Sequence, residues 1–543
     1  MWNKHPAPQM KRESWYSLNG RWILNGKAIN VPYPPQSELS GYLGETKDHL
    51  TYEKIFEVPD DFGKCRILLH FGAVDQIAEV WLNDQLVGRH EGGYLPFSFD
   101  ITEAVHRIGK NSLRVEVTDT LDTRYPYGKQ CKKRGGMWYT PVSGIWQSVW
   151  LENVPDQYIK SVRFTPDLQG VDVEVEGVEE FKVCVVLPDG EKKNMFFQGG
   201  NGRIQMDSPK LWTPDDPVLY PVVIAAGEDK VESYFALRTI TIEDKQGIQR
   251  VCLNEEPIFL HGVLDQGYFQ DGIYLPEEEE EYERDILRMK ELGYNLLRKH
   301  IKVEPPCFYE ACDRLGMLVM QDMVNNGSYH YIRDTVLPTL GMKKKCDNRK
   351  NINGQKQQIF IKHTEETIHH LYNYPCIVAY TIFNEGWGQF HSDQLFRMVK
   401  KWDSTRLVDS TSGWFAQNEN DFDSEHIYFR VKTLTPGNRP LFVTECGGYA
   451  LKIEKHCYNP NKQYGYGTCR NSGELTDRIE HMYRVMILSG IPAGICGCIY
   501  TQLSDVEDEI NGLYTYDRKV CKVEKERMRL LSEEMKEAVQ KGN

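Results

Sequence analysis

The spacing of apolar positions changes character partway along the chain. In the first part, short alternating runs such as Lys64–His70, Ala78–Leu82 and Ser112–Val117 are punctuated by Asn-Asp, Gly-Gly and Gly-Lys turns. That is the pattern of half-buried strands, and with no amphipathic helical stretch between them it predicts an antiparallel sandwich. The strand Ser148–Glu152 runs into Asn153-Val-Pro155, so a first domain is expected over residues 1–153. A second set of short strands, Val171–Val175, Phe181–Val186, Val222–Ala226 and Tyr234–Ile242, fits a small immunoglobulin-like β-sandwich over residues 154–243.

Thereafter strand-like runs alternate with helical segments. Ile258–Leu264 precedes the acidic-start helix Glu277–Leu292, Tyr294–Leu297 precedes Pro305–Leu315, and Met317–Met320 follows. Next come Ile359–Tyr372, Ile377–Phe383, Asp393–Lys401, Leu407–Ser410, Ile427–Phe429 and Leu441–Thr444, then Leu475–Leu488, Ile491–Ile499 and the charged helix Val520–Val539. Eight strand candidates within residues 244–543 predict a parallel sheet, closed as a (β/α)8 TIM barrel. The longest gap, Asn325–Gln355, reads as a wall or lid over the barrel mouth. It carries Tyr329, His330 and Tyr331, which offer stacking faces, and a Lys343-Lys-Lys345 run that reads as a solvated turn.

Composition narrows the partners. With 65 basic and 78 acidic residues the net charge is −13, which argues against a nucleic-acid or anionic-membrane partner and suits a neutral ligand. The 11 Trp and 30 Tyr are many; most belong in sandwich cores, and the rest supply faces for sugar rings. The 14 cysteines form no CxxC pair and no zinc-type spacing, so no metal site is expected, and no cofactor is implied. The start MWNKHPAPQMKRESW lacks the apolar core of an export signal, and no run reaches the ~18 apolar residues of a membrane span. Reduced thiols and a cytoplasmic location are the expectation, with a homo-oligomer left open.

In a TIM barrel the chemistry sits where strands end. Two glutamates stand there. Ile377-Val-Ala-Tyr-Thr-Ile-Phe383 runs into Asn384-Glu385-Gly386-Trp387, and Pro440-Leu-Phe-Val-Thr444 runs into Glu445-Cys446-Gly447-Gly448. Paired carboxylates suit glycosidic cleavage, one protonating the leaving oxygen while the other attacks the anomeric carbon. Their environments must differ, because the acid needs a raised pKa and the nucleophile a stabilised charge. Phe383 and Trp387 are candidates to desolvate Glu385, and Arg298, ending the second strand, to keep Glu445 ionised.

At these residues the chain resembles glycoside hydrolase family 2. Leu18-Asn-Gly-Arg-Trp22, Phe71–Thr102 and Trp138-Tyr-Thr-Pro-Val-Ser-Gly-Ile-Trp-Gln147 look like its N-terminal sugar-binding jelly roll. Phe259-Leu-His-Gly-Val263 resembles the first barrel strand, Asn384-Glu385-Gly-Trp the acid/base motif, and Val443-Thr-Glu445 the nucleophile strand. The resemblance implies retaining chemistry, with Glu385 as acid/base and Glu445 as nucleophile. It implies further that Asn384 binds the sugar 2-hydroxyl, that Arg298 and His300 line the second strand, and that Tyr428 of His426-Ile-Tyr428 orients the nucleophile. Asp265, Trp138, Tyr500, Asp505 and Glu507 are further candidates for contact with the sugar.

The chain also departs from the family's patterns. Gly135-Gly136 stands where the large β-galactosidases carry acidic residues, no Asn-x-Lys motif of β-glucuronidases follows Glu445, and Tyr500 replaces a common tryptophan. Most of the acidic run Asp505-Val-Glu507-Asp508-Glu509 reads as a solvated loop. The expected function is a β-galactosidase-like retaining exo-glycosidase acting on a carbohydrate. A furanosidase or a transglycosylase on the same scaffold is the alternative. A non-catalytic sugar-binding protein would have lost one of the carboxylates, and a metal hydrolase lacks a ligand cluster in the linear sequence.

Overall fold

Alternation in the first part of the chain becomes burial on one face. Along Lys110–Thr118, Asn111, Leu113, Val115 and Val117 are buried while the intervening side chains reach solvent. This strand pairs antiparallel with His49–Glu57 and Ile77–Leu82 in a six-stranded sheet. A four-stranded sheet of Trp15–Ser17, Val149–Val154, Arg66–Phe71 and Phe97–Asp100 faces it, and the two enclose one apolar core, making a jelly roll. Seven strands from Ser161–Pro166 to Asp229–Phe235 form a second sandwich of three-stranded and four-stranded sheets around its own core, the immunoglobulin-like unit. The hairpin Ile240–Lys245 and Ile248–Leu253 then contributes Ile240, Val251 and Leu253 to the core of the third unit. The computed structural model describes residues 2–63, 65–342 and 346–541, so the Lys343-Lys-Lys345 run lies outside the described residues.

That third unit is the barrel. Its parallel strands are β1 (Leu260–Asp265), β2 (Leu296–Lys299), β3 (Leu318–Asp322), β4 (Ile377–Asn384), β5 (Leu407–Ser412), β6 (Asp423–Ile427), β7 (Leu441–Cys446) and β8 (Ile495–Tyr500). The ladder runs β5-β4-β3-β2-β1-β8-β7-β6. Between β5 and β6 the closure is made mostly by side chains: Ser424 donates to Asp409 and accepts from the Gly413 amide, the Val408 amide donates to the Asp421 carboxylate, and the Asp421 amide returns a backbone bond to the Val408 carbonyl. Strand β6 runs from Asp423 to Ile427, so it lies before the expected Ile427–Phe429 strand and shares only Ile427 with it. Likewise Ile491 belongs to a 3-10 turn, Leu488–Ala493, that leads into β8.

The gap after β3 is not structureless. It holds a π-helical turn, Ile332–Val336, continuing into a short α-helical turn, Leu337–Thr339. Its start is tied to the jelly roll: Tyr127 N–H donates to the Asn325 carbonyl, Gly327 N–H to the Thr123 carbonyl, and Asn326 to the Arg124 carbonyl. The jelly-roll residues Tyr94, Tyr139, Val142 and Trp146 are part of the same apolar cluster as the barrel core. The two units are therefore one packed body at the barrel mouth. No helix among the described residues is long and apolar enough to cross a membrane.

Candidate active site

Strand β4 explains how Glu385 reaches the mouth. Phe383 is turned to the helix side, stacked on Phe360 at 5.1 Å with Phe390 edge-on, and this packing anchors the end of the strand. Asn384 then points into the barrel. Simple alternation would send Glu385 outward again, but its backbone is left-handed at φ 51°, followed by Gly386 at 74°, and its carboxylate turns to the same mouth. Phe383 therefore cannot desolvate Glu385, contrary to expectation. Trp387, two residues on, remains beside the site and is buried. On β7, Glu445 is followed by Gly447 and Gly448, both at φ 77°; a Cβ on Gly448 would meet the Tyr466 ring, and one on Gly447 the Tyr500 ring.

The two carboxylates share one hydroxyl. Tyr428 Oη donates to Glu385 Oε1 at 2.9 Å and lies 2.7 Å from Glu445 Oε2. His426 Nδ1 stands 2.8 Å from Glu385 Oε1, and its Nε2 lies 2.9 Å from Ser412 Oγ. Arg298, fully buried, ties the floor together. Its Nε donates to Asp322 (3.0 Å), Nη1 to Glu445 Oε1 (3.2 Å) and the Thr444 carbonyl, and Nη2 to Asn384 Oδ1 (3.0 Å). With Oδ1 committed to Arg298, the Asn384 amide N–H groups are oriented by it. His300 is held by Asp322, which lies 2.8 Å from its Nδ1.

The electrostatics separate the two glutamates. Burial raises the Glu385 pKa above the usual carboxylate range, with Lys129, the Tyr428 hydrogen bond and Arg298 pulling against it. Burial opposes charge on Arg298 too, yet Asp322 and Glu445 outweigh it and hold the guanidinium above its ordinary value. Asp322 shows the other side of the pairing: burial would raise it, but Arg298 and His300 hold it down to about 2. Glu445 thus sits against a permanent cation, while Glu385 is shaped to hold a proton.

Several expectations need revision. Donor atoms of Glu385, His426 and Glu445 lie within 4.8 Å of one another, a His/carboxylate cluster that the linear spacing did not reveal. The Arg298 guanidinium, 3.2 Å from Glu445 and 3.5 Å from His426 Nε2, already stands where a metal's charge would act, so the donor set does not fit a metal ion. Tyr500 shares its face of β8 with Cys498 and packs beside Gly447 and Met482, between barrel and helices, rather than facing the mouth. The acidic run is buried, not solvated. Asp505 is taken by Lys522 (2.6 Å), Glu507 by the Thr140 amide (2.9 Å) and Arg134 (3.1 Å), and Glu509 by Tyr139 (2.5 Å) and Asn511 (2.9 Å). Asp265 is likewise engaged, by Lys299 (2.5 Å) and the Gly267 amide (2.9 Å).

The jelly roll supplies part of the wall. Trp138 stacks on Trp387 with centroids 5.4 Å apart, and Tyr329 from the loop after β3 stands edge-on to both, at 5.0 and 5.3 Å. Lys129 lies over this pair, 4.6 Å from the Trp387 ring and 5.8 Å from that of Trp138. Sequence reading missed Lys129 and Glu509. Nothing local marks a lysine between Gly128 and Gln130 as functional; only the docking of one unit on another brings it to the mouth.

Comparisons with known proteins agree with this architecture. Residues 23–144 match the glycosyl hydrolase 2 galactose-binding domain-like family, 157–238 glycosyl hydrolases family 2, and 242–445 the family 2 TIM barrel domain. The chain belongs to glycoside hydrolase family 2. It is similar to a β-galactosidase of Thermoanaerobacter pseudethanolicus, 30% identical over 332 residues, which are 55% of this chain and 43% of that protein. It is also similar to a β-galactosidase of Pectobacterium atrosepticum, 26% identical over 424 residues, 71% of this chain and 37% of the other. The chain thus spans about two-fifths of the length of these curated relatives. Its fold matches a β-D-glucuronidase of Dictyoglomus thermophilum with a TM-score of 0.76, covering 97% of this chain and 98% of the other at 18% identity. A Ruminococcus gnavus β-glucuronidase gives 0.74, with 97% and 99% covered at 18% identity.

Proposed function

We propose that the protein is a retaining exo-glycosidase hydrolysing O-glycosyl bonds, with Glu445 as nucleophile and Glu385 as general acid/base. The observation that carries this is the shared Tyr428 hydroxyl: it binds both carboxylates, whose nearest donor atoms lie within 4.8 Å. Retaining enzymes hold their carboxyls ~5–5.5 Å apart, whereas inverting ones need ~6.5–9.5 Å to admit a water. In the first step Glu445 attacks the anomeric carbon while Glu385 gives its proton to the departing oxygen. In the second, Glu385 takes a proton from water, which displaces Glu445. Tyr428 steadies the Glu445 oxygen that does not attack, and Asn384, fixed by Arg298, is oriented toward the 2-hydroxyl.

Exo action is supported by how little of the pair reaches solvent. Glu385 is only 6% exposed and Glu445 5%, behind the wall of Trp138, Trp387 and Tyr329, so there is room at the pair for a chain end rather than a threaded polymer. The names of the curated relatives favour a β-galactosidase-like sugar, those of the fold neighbours a glucuronide. All 14 cysteines are free, which is in keeping with a reducing, cytoplasmic setting.

A panel of nitrophenyl glycosides, pyranosides and furanosides of both anomers, tests the activity. Glu445→Ala should lose nearly all turnover and regain part of it with added azide, giving a product of inverted configuration. Wild-type activity in that variant would remove Glu445 as nucleophile. A rapid fall in polymer viscosity with little monosaccharide released would replace exo by endo action.

A further inference from the structure

Lys129 is a buried charged group at the barrel mouth to which the mechanism gives no role. It is 94% buried, being 6% exposed, and its pKa is lowered by that burial, against which Glu509, Glu445 and Glu385 act. Among the described residues its ammonium makes no hydrogen bond and has no carboxylate oxygen within 4.0 Å; its contacts are the faces of Trp387 and Trp138. A buried ammonium without a partner is costly, and folds retain such a group where a ligand supplies the missing charge.

The backbone around Lys129 is fixed in place. Gly128 has φ 63°, and a Cβ there would meet the Ile301 carbonyl oxygen at 3.0 Å, so the jelly-roll chain lies directly against the barrel at this point. The Lys129 carbonyl accepts from the Tyr139 amide. Gln130 is locked on both sides, donating to Asp75 at 2.8 Å and accepting from the Val142 amide at 2.7 Å. The backbone that carries Lys129 is therefore fixed at the barrel mouth, and its ammonium rests on the Trp387 and Trp138 faces.

We propose that Lys129 binds the carboxylate of a uronic-acid glycone, so that the substrate class is a hexuronide recognised by a cation from the jelly roll rather than from the barrel. This rests on reading Glu385 and Glu445 as the glycosidase pair. A sugar hydroxyl would give the ammonium no ion-pair partner in direct contact, and a dianionic substituent would bring excess negative charge among Glu385, Glu445 and Glu509; a monoanion supplies the contact with the least added charge. Ion pairing with the uronate also cancels the field by which Lys129 pulls down the Glu385 pKa, so a bound uronide strengthens the hold of Glu385 on its proton.

The test compares 4-nitrophenyl glucuronide with glucoside, and galacturonide with galactoside, in the wild type and in Lys129→Met. The wild type should prefer the uronide of each pair, and the pair with the larger kcat/KM names the epimer. In Lys129→Met the uronide-to-hexoside ratio of kcat/KM should fall on the order of 10²–10³-fold. The basic limb of its kcat/KM profile on the hexoside should move to higher pH. Lys129→Met should keep or raise the Tm, because an unpaired buried charge is replaced by an apolar chain of similar length, so loss of fold can be told from loss of recognition. A wild type that cleaves hexosides at least as well as uronides, or a variant that loses both equally, would overturn the assignment while leaving the glycosidase reading intact. If no glycoside is cleaved, that reading fails instead. Calorimetric titration with free glucuronate and galacturonate then decides Lys129 on its own: binding that Lys129→Met weakens supports it, and binding unchanged by the substitution rejects it.

Discussion

Tyr428 links the proposed catalytic pair by placing a single hydroxyl proton between two carboxylates. Donation to Glu385 lowers its pKa, so only burial keeps Glu385 raised. In the proposed acid role Glu385 must be protonated, so kcat/KM should decline as pH rises through its raised pKa. Glu385→Gln should keep most of its kcat/KM on a dinitrophenyl glycoside, which needs no acid, and lose on the order of 10²–10⁴ on an unactivated linkage, where the decline itself should disappear. A basic limb that survives in Glu385→Gln on the unactivated linkage would assign the titration to another group. Glu385, Glu445 and Arg298 were legible in the sequence because each ends an apolar run, where a barrel puts its chemistry. Phe383 and Tyr500 were misread for a definite reason. A strand buried on both faces shows no polar alternation, so its sequence does not say which side chains face the helices.

Among elements, the loop after β3 shows how far length alone can be trusted. Its role as a wall followed from its size, but its attachment to Thr123, Arg124 and Tyr127 depends on the docked jelly roll and leaves no local signal. The three residues expected to line the pocket divide. Tyr329 touches Trp138 and Trp387, whereas Tyr331 is 64% exposed. Tyr329→Ala should therefore raise KM with little change in kcat, since it removes binding common to ground and transition states. Tyr331→Ala should leave both within about twofold, as surface substitutions do. Steady-state kinetics of the two single variants decide this, and a larger effect from Tyr331→Ala would mean that the loop closes further over the mouth than it does here.

At the scale of the whole molecule, the jelly roll and the barrel share an apolar cluster, and the buried interface holds ionisable groups whose titration couples to folding. The period change along the chain revealed the sandwiches and the barrel, but not this fusion, because interface residues such as Tyr94 and Trp146 look like ordinary core residues in sequence. His363, on the helix Gln355–Leu371, lies edge-on to Tyr94 across the interface. Burial lowers its pKa from 6.5 to about 3, with His90 adding to the effect. A histidine depressed in the folded state stays neutral there while the unfolded chain takes up a proton. Its contribution is thus complete above about pH 6.5 and is lost progressively as pH falls toward 3. Replacing it by phenylalanine keeps the ring and removes the proton site. The stability of His363→Phe relative to the wild type should therefore improve by about 2 kcal/mol between pH 7 and pH 5. Denaturant unfolding of both proteins at the two pH values measures it directly, and a difference that does not change with pH would show that His363 is protonated in the folded protein.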